Sequence, residues 1–261
     1  MSAQEKLRST VSRLLSNKEI DCFIGYGEGS LEGFSRPIFI KEESQTKKLV
    51  WNKNCRSNLV KYLLGVKGKI GIIVKVCDGK ALAQLIKENQ IQRDSVYVIA
   101  VECQGVETSP MPYSEKPTNI LADHCARCDS NISPIYDVLI ADGGQKKAEM
   151  DAKPWDNPSK WIDDFESCTR CLACIKACPL CYCTECALDG SKSWLVSKIR
   201  LAKELPTFHM VRALHMVGRC SECGACEMAC PAGIPLTKLY RLVNEKVGND
   251  FDNSFVGEQK T

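Results

Sequence analysis

Seven of the chain's seventeen cysteines fall within CTRCLACIKACPLCYCTECA, from Cys168 to Ala187. A second run, CSECGACEMACP, spans Cys220 to Pro231. Both fit C-x2-C-x2-C-x3-C-P: Cys168, Cys171, Cys174, Cys178 and Pro179, then Cys220, Cys223, Cys226, Cys230 and Pro231. Three thiols at this spacing wrap one cube of iron and sulfide. The fourth is carried away by the turn and helix that follow, and ligates the other cube. The spacing therefore predicts one 4Fe-4S cluster on Cys168, Cys171, Cys174 and Cys230, and a second on Cys220, Cys223, Cys226 and Cys178. Small residues at Ala173, Ala177, Gly224, Ala225 and Ala229 leave room for the cubes. Structural zinc favours two thiol pairs separated by a longer loop. Disulfide frameworks belong to small exported chains, whereas here the cysteines cluster in 261 residues.

Nine cysteines remain: Cys22, Cys55, Cys77, Cys103, Cys125, Cys128, Cys181, Cys183 and Cys186. The first run continues past its proline as C-x-C-x2-C, and HCARC (124–128) supplies an unmatched C-x2-C. Cys125 and Cys128 with two of Cys181, Cys183 and Cys186 would complete a third metal site, iron–sulfur in preference to zinc. Cys55, Cys77 and Cys103 lie near helix starts or strand ends. In an open α/β sheet the strand C-termini converge on one crevice, so these three, closed by Cys125 or Cys128, would form a fourth. Cys22 sits mid-strand and reads as core. His209 and His215, on the helix entering the second run, read as packed helix residues or as donors to a cluster sulfide.

The elements that must position these thiols come in two styles. IDCFIGY (20–26), RPIFI (36–40), IGIIVKV (70–76), VYVIAV (96–101) and YDVLIA (136–141) read as strands. Cys55–Leu64 and Lys80–Asn89 read as helices between them, and an amphipathic helix opens the chain on Leu7, Val11, Leu14 and Leu15. The expected fold is a small mixed α/β domain over residues 1–142, with a partly parallel sheet. A polar linker follows (143–165), then a cysteine-rich helical domain (166–250), which its resemblance to a known family, given below, implies is an α-helical dicluster ferredoxin domain, and a tail (251–261). In that second domain 191–205 and 207–218 read as helices divided by Pro206, which cannot sit inside one. Pro235 opens a last helix through Val247.

Composition narrows the function. Hydrophobic residues make up 44% and charged residues 26%, as in a soluble globular protein. The longest apolar stretch is too short for a membrane span. The first residues lack the apolar core of a secretory signal, and Glu5 and Glu19 argue against a presequence. The expected location is cytoplasmic. The formal charge of +3 counts thiols as neutral; with eight thiolates and two cluster cores it becomes about −1. Basicity gives no argument for nucleic acid, and no arginine-rich arm supports one.

Two resemblances add to this. The segments LVWNKNCRSNLVKYLL, GIIVKVCDGKAL and LIKENQIQRDSVYVIAVECQG resemble the β subunit of the coenzyme F-420 (deazaflavin)-reducing hydrogenase and formate dehydrogenase family, most clearly in K-x-C-D and QI-x-R-x-x-V-Y. The likeness covers residues 20–142 and implies FAD and electron exchange with a deazaflavin. The chain departs from it at Val76 and at Gly79-Lys80. GYGEGS (25–30) is a remnant of the flavin segment at best, and a glycine turn after a strand is the better reading. Residues 166–247 resemble the α-helical 4Fe-4S ferredoxin domain of heterodisulfide-reductase-type and succinate dehydrogenase iron–sulfur subunits.

The function expected is electron transfer in a larger anaerobic oxidoreductase complex. Single electrons pass through the clusters between partner subunits: a heterodisulfide-reductase-like flavoprotein, a hydrogenase or a formate dehydrogenase. No nucleophile with a paired base appears, and Asp78 reads as a helix cap rather than an acid. The alternative is an FAD-containing catalytic subunit reducing a deazaflavin or another soluble carrier. A third class, a zinc-stapled binding module, would bind no sulfide.

Overall fold

The computed structural model describes residues 1–31, 33–108, 120–128, 130–143, 159–189, 195–197 and 200–247. The chain divides into two compact units, the first within Met1–Met150 and the second within Asp151–Ser254.

The first unit opens with α1 (Ala3–Ser16), started by a capping box in which the Ser2 hydroxyl accepts from the Glu5 amide and the Glu5 carboxylate accepts from the Ser2 amide. Its Leu7, Val11 and Leu14 are fully buried; each contributes about 1.5–3 kcal/mol of apolar burial. Five strands follow: β1 (Cys22–Glu28), β2 (Ser35–Ile40), β3 (Ile70–Val74), β4 (Val96–Val101) and β5 (Val138–Ile140), ordered β2-β1-β3-β4-β5. β2 pairs antiparallel to β1, and the other three pairings are parallel. β3 is buried along its whole length, as Val/Ile-rich parallel strands covered on both faces must be. The parallel strands bring Lys75, Cys103 and Asp142, which follow β3, β4 and β5, to the same edge of the sheet.

Several elements differ from the sequence reading. The glycines of GYGEGS belong mostly to β1, where Gly25 and Gly27 pair with Ile38 and Arg36 of β2. The segment is neither a phosphate loop nor a turn following a strand. A Cβ on Gly25 would come 2.5 Å from Leu49, so close packing accounts for that glycine. Cys55–Leu64 does not form an α-helix. Only Leu59–Leu63 turns, as a 3₁₀ segment capped by Asn58, because Asn52 and Asn58 bind the amides of Asn54 and Val60 and commit the backbone to turns. The helix placed at 80–89 begins earlier: α2 spans Val76–Lys87, and Asp78 caps it by accepting from the Lys75 amide at 3.1 Å.

A short helix, α3 (Asp123–Ala126), carries Cys125 between β4 and β5. The second unit holds α4 (Ser159–Glu166), α5 (Ala173–Ala177), α6 (Leu205–His215), α7 (Ala225–Met228) and α8 (Leu236–Val247). The expected linker thus ends in a helix; residues 144–158 of it, and the tail, lie outside the described residues. Of the helix expected over 191–205, residues 195–197 and 200–201 are irregular and Ala202–Glu204 is one 3₁₀ turn. Glu204 accepts from both the amide and the hydroxyl of Ser197, which offers the backbone an alternative to the helix ladder. Pro206 does not divide two helices: it sits in the first turn of α6, where its missing N–H costs nothing. The core joins Phe165, Phe208, Leu236, Leu239 and Tyr240 to the buried cysteines.

Candidate metal centres

Each cysteine run bends its backbone the same way. Arg170 and Leu172 have φ of 53° and 62°, and Glu222 and Gly224 have 52° and 69°. These left-handed residues stand two and four positions after the first cysteine of each run. The bend aims the amide of the second residue back at that cysteine: Arg170 N–H donates to Cys168 Sγ, and Glu222 N–H to Cys220 Sγ, both at 3.4 Å. A non-glycine residue held left-handed costs about 1–2 kcal/mol, and such strain persists where the surroundings demand it. The third cysteine of each run then lies in the short helix α5 or α7, and the fourth lies at or just beyond that helix's end.

The result is two cavities. Cys168, Cys171, Cys174 and Cys230 line one, together with His209 of α6. Cys178, Cys220, Cys223 and Cys226 line the other, together with Tyr240 of α8. Each cavity therefore takes three thiols from one run and the last thiol of the other run, with α5 packed against α7.

These sites are hostile to free thiolates. Burial pushes the thiols of Cys168, Cys174 and Cys226 up, and that of Cys220 up to about 12. Hydrogen bonding with Cys181, then burial, raises Cys178. The charge of neighbouring cysteines adds to the effect. Such thiols ionise when a metal takes the place of the proton, so the donor set fits a cationic iron–sulfur core. Two buried cationic or polar groups fit it as well. Arg212 is 2% exposed and donates to the Cys174 carbonyl at 2.7 Å and to the Tyr240 hydroxyl. His209 is 1% exposed, stacked on Phe165 with ring centroids 4.3 Å apart. Among the described residues, both His209 ring nitrogens and Arg212 Nε are buried without a hydrogen-bond partner. Burial, then the Arg212 charge, lowers the His209 pKa to about 4.

None of the seventeen cysteines, all of them described residues, is joined in a disulfide. Cys181, Cys183 and Cys186 belong to the second unit, where they line a cavity with Arg212, His215 and Arg219. Cys125 and Cys128 belong to the first unit. There Cys125 has Cys103 and Cys128 for neighbours, and its thiol is pushed up to about 11, mainly by burial. Cys103 Sγ accepts from the Gly105 amide at 3.4 Å, and Cys125 Sγ from the Val106 amide at 3.4 Å. Cys55 is fully buried and accepts from Asn52 N–H at 3.4 Å. Cys77 lies in the first turn of α2, and Cys22 is buried at the start of β1. Beside the crevice thiols runs a buried ion pair, Lys75 Nζ to Asp78 Oδ2 at 2.8 Å, joined by Tyr26. The cleft of about 280 Å³ at this sheet edge is lined by Trp51, Lys53, Lys75, Cys103, Gly105 and Asp142, among others. The sequence reading did not place His215 with the C-x-C-x2-C thiols or pair Arg212 with Tyr240. Their signal was the three-residue spacing of His209, Arg212 and His215 along one side of α6.

Residues 167–235 match the 4Fe-4S dicluster domain family. Along most of its length the chain is similar to curated proteins. It is 22% identical over an alignment of 335 residues to the F420-dependent formate dehydrogenase subunit beta of Methanocaldococcus jannaschii, covering 90% of this chain and 86% of that protein. It is also 22% identical over 275 residues to the F420-dependent formate dehydrogenase 1 subunit beta of Methanococcus maripaludis, covering 68% and 70%. A chain of the F420-reducing [NiFe] hydrogenase complex from Methanosarcina barkeri, solved as a xenon derivative, matches 39% of this chain and 38% of its own length. The identity is 18% and the TM-score 0.34. Among the described residues no helix is long and apolar enough to cross a membrane. The second unit thus carries a 4Fe-4S dicluster domain, in a chain similar along most of its length to formate dehydrogenase beta subunits.

Proposed function

We propose that this protein is an iron–sulfur electron-transfer subunit of a larger oxidoreductase complex, relaying single electrons between partner subunits. One observation carries the reading: eight cysteines of one compact unit line two cavities, four to each, with each run lending its last thiol to the other. In this reading Cys168, Cys171, Cys174 and Cys230 hold one 4Fe-4S cluster, and Cys220, Cys223, Cys226 and Cys178 the other. Each cluster, when bound, supplies reversible one-electron chemistry at a potential within about −700 to +450 mV.

The chain's own residues do the rest. The shared ligation keeps the two sites close together. Phe208, Ile234 and Leu236 wall the first cavity, and Met216 and Tyr240 the second, keeping water from the buried Cys168, Cys174, Cys226 and Cys230. Arg170 and Glu222 present backbone N–H groups to cysteine sulfur, and Arg212 supplies a permanent buried cation. Burial, hydrogen bonds to sulfur and local charge are the levers by which a protein sets cluster potential.

The partners in this reading are a formate dehydrogenase or hydrogenase, with a heterodisulfide-reductase-like flavoprotein as a further candidate. The named relatives support the first of these. In the first unit, Cys55, Cys77 and Cys103, closed by Cys125 or Cys128, form a further candidate metal site, supported by the electrostatic reach of Lys75 to Cys55, Cys77, Cys103 and Cys125. A second reading, an FAD-containing subunit that reduces a deazaflavin, is favoured by the cleft at the sheet edge, where Trp51 offers a ring and Lys53 a cation. Iron, acid-labile sulfide and flavin analysis of anaerobically purified protein tests both. At least about eight irons and eight sulfides per chain without flavin supports the relay; stoichiometric flavin supports the second reading.

A further inference from the structure

We infer that Cys181, Cys183, Cys186 and His215 bind an additional iron–sulfur cluster within the second unit. The two quartets use no cysteine beyond Pro179 in the first run, so C-x-C-x2-C is left over. It is not dispersed: the three thiols line one cavity of about 280 Å³. His215, the last residue of α6, lines the same cavity and brings the donors to four, the number a cube requires. This set needs neither Cys125 nor Cys128.

The surroundings suit an anionic centre. Three thiolates outweigh a dipositive core, and two guanidinium groups line the cavity to offset them. Arg212 reaches it from its buried position. Arg219 is fixed by donating to the Leu180 carbonyl at 3.3 Å, with its guanidinium 5.7 Å from the centre of the Tyr182 ring. Leu180, Leu188 and Met216 supply an apolar wall. The site also adjoins the second quartet, because Cys181 is hydrogen-bonded to Cys178. A cluster here would extend the electron path by one step beyond that quartet.

The competing occupant is a zinc ion, for which three cysteines and a histidine are a familiar set. Zinc requires all four donors about 2.0–2.3 Å from one point. Among the described residues no three Cys, His, Asp or Glu side chains converge in that way. The same holds for the two quartets, where each thiol would bind a separate iron of a cube. A cavity of about 280 Å³ also holds far more than one ion.

The inference rests on the two-cluster reading for its neighbouring centre, and the metal count separates the two. Iron, sulfide and zinc are measured on the full chain prepared anaerobically, for the parent, for the Cys183→Ser/Cys186→Ser variant and for His215→Cys. The variant that lacks two thiols loses about four irons and about four sulfides per chain relative to the parent, while the two quartet signals persist on reduction. His215→Cys keeps the iron, but the strong nitrogen coupling of a ligated imidazole, read by pulsed paramagnetic resonance, disappears. Equal iron in parent and double variant overturns the inference and leaves the two-cluster reading standing. So does stoichiometric zinc removed by the double substitution. Parent protein without any sulfide overturns both. If the double variant loses all its iron, His215→Cys decides: a nitrogen coupling that survives, or was never present, overturns the inference.

Discussion

Arg212 Nη2 lies 2.7 Å from the carbonyl oxygen of Cys174, so a guanidinium is fixed to the backbone of one cluster loop while its other end donates to Tyr240, which lines the second cavity. The same charge also acts on Cys226 and Cys181. One buried cation thus serves both quartets. Reduction adds negative charge to a cluster, so the cation favours the reduced state of each. Replacing it with a neutral side chain, Arg212→Met, is expected to make both midpoint potentials more negative, by on the order of 60 mV each, a tenfold change for a one-electron couple. Arg212→Lys, which keeps the charge but not the planar fork, is expected to retain most of the potential. Redox titration followed by paramagnetic resonance reads both, and unchanged potentials in Arg212→Met would contradict the assignment.

His209 acts on one side only. It lines the cavity of Cys168, Cys171, Cys174 and Cys230 and has no counterpart in the other. Its ring nitrogens have no protein partner among the described residues, which leaves an N–H for cluster or cysteine sulfur. His209→Phe preserves the stack on Phe165 and removes that donor. The expected outcome is one potential shifted to more negative values with the other unmoved. Thermal stability of the metal-free protein should hold or rise, since an unsatisfied buried polar group costs about 1–3 kcal/mol. A shift in both potentials, or in neither, would refute the role.

Gly224 is the left-handed glycine of the second run, with φ of 69°. Gly224→Val places a β-branched side chain where it is most strained, at a buried position. The variant should lose the cluster of Cys178, Cys220, Cys223 and Cys226, about four irons per chain, and keep the other signal. Loss of the first signal instead would reverse the assignment of cavities.

The Lys75–Asp78 pair, at 2.8 Å and no more than 3% exposed, is predicted to matter for the stability of the first unit. Asp78→Asn leaves the ammonium buried and uncompensated and should cost about 3–5 kcal/mol in urea unfolding. Arg13→Ala, which breaks an exposed pair to Glu19 at 3.2 Å, should leave the transition nearly in place. Equal effects from the two would show that burial does not set the difference.

The two cysteine quartets were the most legible part of the chain, because eight thiols and two prolines at fixed offsets are a pattern that survives without context. The strands of the first unit were legible for a related reason: IGIIV and VYVIAV are too apolar to face water. Legibility failed where local and tertiary terms compete. Gly25 and Gly27 suggested a turn, yet cross-strand pairing with β2 kept them in β1. Pro206 suggested a break, yet it stands in the one turn of a helix that tolerates it. Asn52, Asn58 and Glu204 diverted their neighbours from helix by hydrogen bonds that no periodicity reveals. The orphaned nitrogens of His209 and the shared contacts of Arg212 needed three dimensions, since only packing shows which cavity a residue of α6 reaches.

The central claim is that two iron–sulfur clusters lie close together in the second unit and exchange single electrons. Paramagnetic resonance of the anaerobically prepared, stepwise-reduced full chain tests it most directly. The account predicts a simple half-spin signal at partial reduction that broadens and splits at full reduction, as the second electron brings two magnetic centres within interaction distance. Two signals that grow independently and never couple, or no signal at all, would contradict it.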